Sequence, residues 1–481
     1  MVDSTGAVVA NAIVRVENTG TNVETAVTSG SQGDYDALNL IPGQYLVTAE
    51  KSGFKRYQRG PIEVRVGDVL TIDIGLELGA PTENITVTGE TPLLEAATAD
   101  IGQVIDRRRL VDLSMPASNV SYLIQLAPGV ISTAPPTQGW QLNGTSTQAN
   151  FSSNGSGVQT SQFTVDGVPN MLSYGEVDNH APFPEVLQEF RVQTAPFDAS
   201  EGHFVGSQVD MVIRRGTNAF HGDGVYQYNG RKLNVITFFV EKQIYDPTTG
   251  PVTQQKINSI VPNVVMNRYR FVVTGPVYIP KLHNGRNRTF FTYGYDHVYR
   301  SIGTVTPQSV PTAAERRGDF SALLALGSQY QIYDPATIAP VGNGTFSRSP
   351  LPGNIIPASR LNPIAQKLIG YYPLPNVTGT PDGLNNFSSS PPNVLKRPQH
   401  TARLDQTLSP NNRLFFSVMR SYEYTASSGF PSSFLAAAVD HRSLAMTVDD
   451  VAVLKPNLVL DVRYGVHRHA ENGLPAPWVS T

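Results

Sequence analysis

Apolar and polar positions alternate in period two along most of this chain, and the character of the alternation changes twice. From residue 1 to about 79, Ile62, Val64 and Val66 share one face, and Leu70, Ile72, Ile74 and Leu76 are opposed by Thr71, Asp73 and Glu77. Turn formers at Ser4-Thr5-Gly6, Gly33-Asp34, Pro42-Gly43 and Gly67-Asp68 punctuate these segments, so the pattern predicts half-buried strands of a small β-sandwich. Between about 91 and 215 the periods mix. A short helix is predicted from near Ser118, with Val120, Leu123, Ile124 and Ala127 on one side and Pro128-Gly129 as its stop, followed by strand-like pieces. This reads as a compact mixed α/β unit with a core of its own.

After residue 222 the alternating segments lengthen and become aromatic. Phe291, Tyr293, Tyr295 and Tyr299 fall on one face against Thr292, Gly294, Asp296 and Arg300. Comparable segments run over 223–229, 267–274, 402–408, 413–422, 443–453 and 458–466. The last sets Leu458, Leu460, Val462, Tyr464 and Val466 against Asp461, Arg463 and His467. Apolar-out, polar-in alternation is the signature of an outer-membrane barrel. The connections agree, because long gaps at 230–266, 301–401 and 423–442 alternate with short ones at 275–288, 409–412 and 454–457. Barrels of this kind join strands by short periplasmic turns and long external loops in turn. The connection 301–401 is long enough to carry structure of its own. Within it Thr312-Ala313-Ala314-Glu315 has capping-box spacing and Asn362-Pro363 opens a helix running toward Gly370.

Charged residues are 16% of the 481, while Tyr and Phe number 20 each. No run of 18 or more uncharged apolar residues occurs, so a membrane role would need strands rather than a helix. Cysteine is absent, which removes disulfides, thiolate catalysis and Cys-bound metals. The net charge of −3 gives no footprint for nucleic acid, and the one basic run, Arg107-Arg108-Arg109, beside Asp106 and Asp112, reads as a solvated helix. Met1-Val2-Asp3-Ser4 lacks the basic and apolar regions of a signal peptide, so for an exported protein the N-terminus is expected to be incomplete.

Several strings carry family resemblances. Asp3-Ser4-Thr5-Gly6-Ala7, Gly33-Asp34-Tyr35, Leu40-Ile41-Pro42-Gly43-Gln44-Tyr45 and Gly53-Phe54 resemble the carboxypeptidase regulatory-like domain. Leu126-Ala127-Pro128-Gly129-Val130, Phe163-Thr164-Val165-Asp166-Gly167-Val168, Glu189-Phe190-Arg191-Val192 and Arg215-Gly216-Thr217-Asn218-Ala219-Phe220-His221-Gly222 resemble the plug and plug-to-barrel junction of TonB-dependent receptors. Glu315-Arg316-Arg317-Gly318-Asp319-Phe320, Ile332-Tyr333-Asp334-Pro335 and Tyr372-Pro373-Leu374-Pro375-Asn376 resemble the Oar-like branch of that family. Between Gly79-Ala80-Pro81 and Thr91-Pro92, the segment Asn84, Ile85, Thr86, Val87 and Thr88 resembles the TonB box. Its β-branched residues favour an extended backbone that could pair with a partner sheet, or could form the last strand of the sandwich.

The expected fold class is therefore mainly β: a sandwich over 1–79, a linker with the TonB-box-like segment over 80–90, a plug over 91–215, and from 216 to 481 the first part of an antiparallel transmembrane β-barrel. A plugged transporter barrel has about 22 strands, so seven make it incomplete, and the chain reads as a fragment of a longer frame. The resemblance implies a receptor in the bacterial outer membrane that imports an unidentified substrate with energy from the inner membrane. Its implied partners are a TonB-like transducer, outer-membrane lipid and an extracellular substrate, with no nucleic acid. Surface adhesion through the long loops is the alternative, and a soluble carbohydrate-binding protein a third reading.

Catalytic and cofactor chemistry finds no foothold. His467 and His469 share a strand face and could meet at one ion, but no third ligand is evident in the sequence, and a polar strand end accounts for the pair, so no metal site is expected. Asp166-Gly167 reads as a tight turn without a partner acid or base, and Ser152-Ser153-Asn154-Gly155-Ser156-Gly157 lacks the lysine of a phosphate loop. No enzyme activity is expected.

Overall fold

The computed structural model describes residues 1–38, 40–65, 68–80, 84–87, 101–113, 119–132, 151–157, 160–171, 181–195, 204–233, 236–247, 251–261, 263–303, 306–389, 392–427, 437–455 and 458–475. Three sheets organise it. In the first, β1 (Ile13–Asn18), β2 (Glu24–Thr28), β3 (Gly43–Glu50), β4 (Arg56–Val64) and β5 (Asn84–Val87) lie in the order β2-β1-β3-β4-β5. The pairs are antiparallel except for β5, which joins β4 in parallel at the sheet edge. Val14, Val16, Tyr45, Val47, Ile62 and Val64 alternate inward to form the core. The predicted strand over Leu70–Leu76 needs correction: only Gly75–Leu76 pairs, with Val2–Asp3. Ile74 and Leu76 are nevertheless buried, and Leu70 and Ile72 pack on the same core. Alternation reported burial there, not a hydrogen-bonded ladder. Val66 lies outside the described residues.

The second sheet runs β8-β7-β10-β9-β6, built from β6 (Ile101–Asp106), β7 (Gln162–Val165), β8 (Val168–Pro169), β9 (Leu187–Ala195) and β10 (Gln208–Ile213). Helix α1 (Arg107–Asp112) begins at the Asp106 cap. The helix expected near Ser118 is a 3-10 segment, Val120–Leu126, whose Val120, Leu123 and Ile124 are buried as the spacing predicts. Phe163, Phe190, Val192, Val209, Met211 and Ile213 form the core, and Val272 of the third sheet completes it, so this core is not independent of the wall as expected.

The third sheet contains β11 (His221–Gly230), β12 (Asn263–Pro276), β13 (Thr289–Gly303), β14 (Pro392–Ser409), β15 (Asn412–Ser427), β16 (Ala437–Lys455) and β17 (Leu458–Pro475). They pair antiparallel in chain order, and the sheet does not close on itself. Seven strands were predicted, each reaching farther here than its apolar run. On the outer face Phe271 pairs in register with Tyr295, and Tyr295 with His400. Their rings pack at 5.7 and 4.8 Å between centroids. The inner face carries Thr292, Asp296, Arg268, Arg270, Arg403 and Ser417, all buried.

The connection after β11 holds α2 (Phe238–Ile244) and α3 (Gln254–Ile260). That after β13 holds α4 (Ser321–Leu324), α5 (Pro363–Ile369), a small hairpin over 339–347, and a short antiparallel pairing of Thr306–Gln308 with Phe387–Ser389 that ties its two ends together. The capping box forms as its spacing predicts: Thr312 N donates to Glu315 Oε2 at 2.7 Å, and Glu315 N to Thr312 Oγ1 at 3.3 Å. Asn362 caps α5 through the amides of Ile364 and Ala365.

Candidate functional site

The functional geometry lies where the second sheet meets the inner face of the third. Asp166 and Gly167 adopt φ of 49° and 74° in the hairpin joining β7 to β8, the turn expected of them. The same aspartate does more. Its Oδ1 accepts from Ile213 N at 3.1 Å and from Arg403 Nη1 at 2.6 Å. Arg403, on β14, also donates through Nη2 to Asp405 Oδ1 at 2.9 Å and lies 3.8 Å over the Phe415 ring. Arg403 and Asp166 are 0% and 1% exposed, which makes this a fully desolvated pair between the two units.

Other charged groups gather at the same junction. Glu185, before β9, meets Arg270 of β12 at 3.1 Å with both side chains buried. Burial pushes the Glu185 carboxyl above its usual range, and Arg270 opposes that shift. Asp223 of β11 receives Arg107 at 2.7 Å and Arg214 at 2.6 Å. Arg463 of β17 holds Asp449 at 3.0 Å beneath Gly167. Gln399 of β14 donates to Ala181 O at 3.3 Å. Shape fits as well as charge: a Cβ on Gly294 would lie 2.8 Å from the Phe183 ring and 2.9 Å from Val186, so glycine lets the wall approach closely. Sequence reading missed these anchors. Arg108 is 91% exposed, as a solvated helix requires, but Arg107 of the same run is committed to the wall.

The first sheet docks against the junction. Asn218 N donates to Gly20 O at 2.9 Å, Asn218 Nδ2 to Asn287 Oδ1 at 2.6 Å, and Asn22 Nδ2 to the same oxygen at 3.3 Å. Asn287 lies in the short connection between β12 and β13, on the side of the short turns. A cavity of about 930 Å³ opens there between the three sheets, lined by Tyr35, Tyr45, Arg215, Asp405, Arg413 and Asp461 among others. Burial raises the Tyr35 phenol to about 12. Arg215 is lowered to about 10, by burial first and then by Arg403.

Of the segment predicted to bind a partner, Asn84, Ile85, Thr86 and Val87 form β5, opposite Arg56, Tyr57, Gln58 and Arg59 in register. Thr88 lies outside the described residues. β5 ends its sheet, so one of its two backbone edges faces no other strand of that sheet. His467 and His469 lie on the inner face of β17, across from Ala445 and Ser443.

Comparison with known proteins gives three matches to family models. An outer membrane beta barrel domain matches residues 212–478, a TonB-dependent receptor plug domain 96–207, and a carboxypeptidase regulatory-like domain 1–77. The TonB-dependent transporter Oar of Myxococcus xanthus is 25% identical over 223 residues, 44% of this chain and 20% of that protein. Among solved structures, the outer membrane transporter YddB of Escherichia coli superposes with a TM-score of 0.44 at 11% identity, over 76% of this chain and 38% of that one. The ferric enterobactin receptor PfeA of Pseudomonas aeruginosa gives 0.35 at 12%, over 78% and 46%. The chain thus spans about a fifth of the curated relative, 20%, and under half of these solved receptors, 38% and 46%.

Proposed function

Since this chain belongs to the TonB-dependent receptors of the bacterial outer membrane, we propose that it imports a substrate through the barrel lumen with energy delivered from the inner membrane by a TonB-like transducer. The family comprises transporters and receptors, not enzymes. One arrangement carries the import reading: β5 is an edge strand, and the next described strand, β6, is the first of the plug. An open edge offers amides and carbonyls to which a partner's strand can add, and a pull on that strand would be transmitted along the chain into the plug. Buried ion pairs, Arg403 with Asp166 and Arg270 with Glu185, join the plug to the wall.

The test compares two variants in the purified receptor. Proline lacks the amide donor, so Val87→Pro is expected to abolish binding of a TonB C-terminal domain, while Val87→Ala weakens it only modestly. Unchanged affinity in Val87→Pro, with a lowered melting temperature of the sandwich, overturns partner pairing and leaves β5 as a structural strand. The second reading, adhesion, draws support from the ordered excursion 306–389, which exposes Tyr333, Phe346, Ile364 and Tyr371 on the external side. Loss of cell attachment on deleting that excursion, with uptake intact, would favour it.

A further inference from the structure

Beyond import itself, the inner wall holds a cluster that sequence spacing could not assemble. His441 on β16 and Glu471 on β17 are direct cross-strand partners, and His469 stands opposite Ser443, the next inward position along the same pair of strands. The His441 and His469 rings stack with centroids 5.9 Å apart and planes 24° from parallel. His441 Nδ1 is 3.8 Å from Glu471 Oε2. One donor atom from each of the three residues lies within 4.8 Å of the others.

We propose that His441, His469 and Glu471 form a binding site for a divalent transition ion of the Zn²⁺ class on the lumenal wall. Two imidazole nitrogens and one carboxylate oxygen match the preference of Zn²⁺ and its neighbours, whereas Ca²⁺ and Mg²⁺ demand oxygen throughout. Metal–ligand lengths of about 2.0–2.2 Å require the donors to draw together by roughly 1 Å, which side-chain rotation supplies without moving the strands. The ladder fixes the backbone of all three. His441 is buried and Glu471 is 48% exposed on its side chain, so the site has a closed back and an open front through which an ion can enter. On the other side of β16, His441 pairs in register with Glu423 of β15, whose carboxylate lies 3.9 Å from Arg397.

The sequence places His467 with His469 on one strand face, and no metal site is expected from that pair alone. The structure replaces His467 with His441, which comes from another strand, and brings in Glu471, two positions from His469, which the spacing argument passed over. The two pairings make opposite forecasts.

The purified, untagged receptor is titrated in detergent with Zn²⁺ alone by calorimetry and with Co²⁺ alone by visible absorption. Saturable binding of one ion is expected, with d–d bands of a nitrogen- and oxygen-ligated Co²⁺. His441→Ala, His469→Ala and Glu471→Gln should each weaken Zn²⁺ binding by more than about tenfold, the loss that even an outer-sphere partner can cause. His467→Ala should leave it unchanged. Glu471→Gln preserves shape at a half-exposed position, so it remains informative if a histidine variant fails to fold. Absence of saturable Zn²⁺ binding, equal binding of Ca²⁺, or wild-type affinity in Glu471→Gln overturns the site. Loss of binding in His467→Ala with retention in His441→Ala overturns it equally.

Discussion

A guanidinium withdrawn from water is tolerable only where anions answer its charge, and Arg403 has two, Asp166 on the plug and Asp405 on its own strand. Removing one partner of such a pair leaves the other buried and unanswered, at a cost of about 3–5 kcal/mol. Asp166→Asn is therefore expected to loosen the plug, read as faster protease cleavage within it and a lower melting temperature. Arg403→Gln should do the same. The double variant should cost clearly less than the sum of the two, and a coupling below about 0.5 kcal/mol in this cycle would show that the pair does not hold the plug. Half of this was legible in the sequence. Asp166-Gly167 announces a positive-φ turn through local chemistry alone, and the turn is there. The ion pair spans 237 positions, and no local rule reaches across that distance. Arg107 was hidden for the same reason, since it meets Asp223 only after the plug has docked.

At the scale of the strand, period two is a statement about two solvents. Tyr293 and Tyr295 alternate with the buried Thr292 and Asp296, the pattern expected of a wall whose outer face meets lipid and whose inner face meets plug and lumen. That rule needs no knowledge of register, which is why all seven wall strands could be read from the sequence. It also explains the failure over Leu70–Ile74, where an extended segment with one buried face satisfies the pattern without joining a ladder. Tyr295 packs between Phe271 and His400 in the middle of the wall. Tyr295→Arg should accordingly cost about 2–4 kcal/mol of folding stability in a bilayer, and Tyr295→Phe very little. Urea titration of folding into lipid vesicles measures both. Equal stability of the Arg and Phe variants would mean that this face does not meet lipid. The metal-ligand set shows the limit of strand-level reading: His469 and Glu471 are visible on one face, but His441 joins them only through the register of β16 against β17.

For the whole molecule, the question is whether the sandwich stays docked beneath the lumen or hangs free. The docked arrangement rests on polar contacts among Gly20, Asn22, Asn218 and Asn287, of the kind that can open and reclose. In this position the sandwich covers the short-turn side of the plug, with the cavity of about 930 Å³ enclosed between them. Under the import proposal, a substrate leaving the lumen past a displaced plug would enter that space, and the sandwich is then expected to swing aside for it to go farther. The chain has no cysteine, so an engineered pair has no competitors. A Cβ built on Gly20 lies 3.8 Å from Thr217 Cβ, within the usual separation of about 3.5–4.5 Å across a disulfide. Gly20 is not in the left-handed region, so a side chain there is not strained. Gly20→Cys with Thr217→Cys should oxidise readily, giving a shifted mobility on non-reducing gels that reductant reverses. Failure to form the bridge in the folded receptor would mean that the sandwich does not dock this way. With the bridge closed, affinity for external ligand should be unchanged, while uptake should fall to the level of a strain lacking the transducer and recover on reduction. Uptake that continues through the locked form would show that the substrate's exit does not require the sandwich to move.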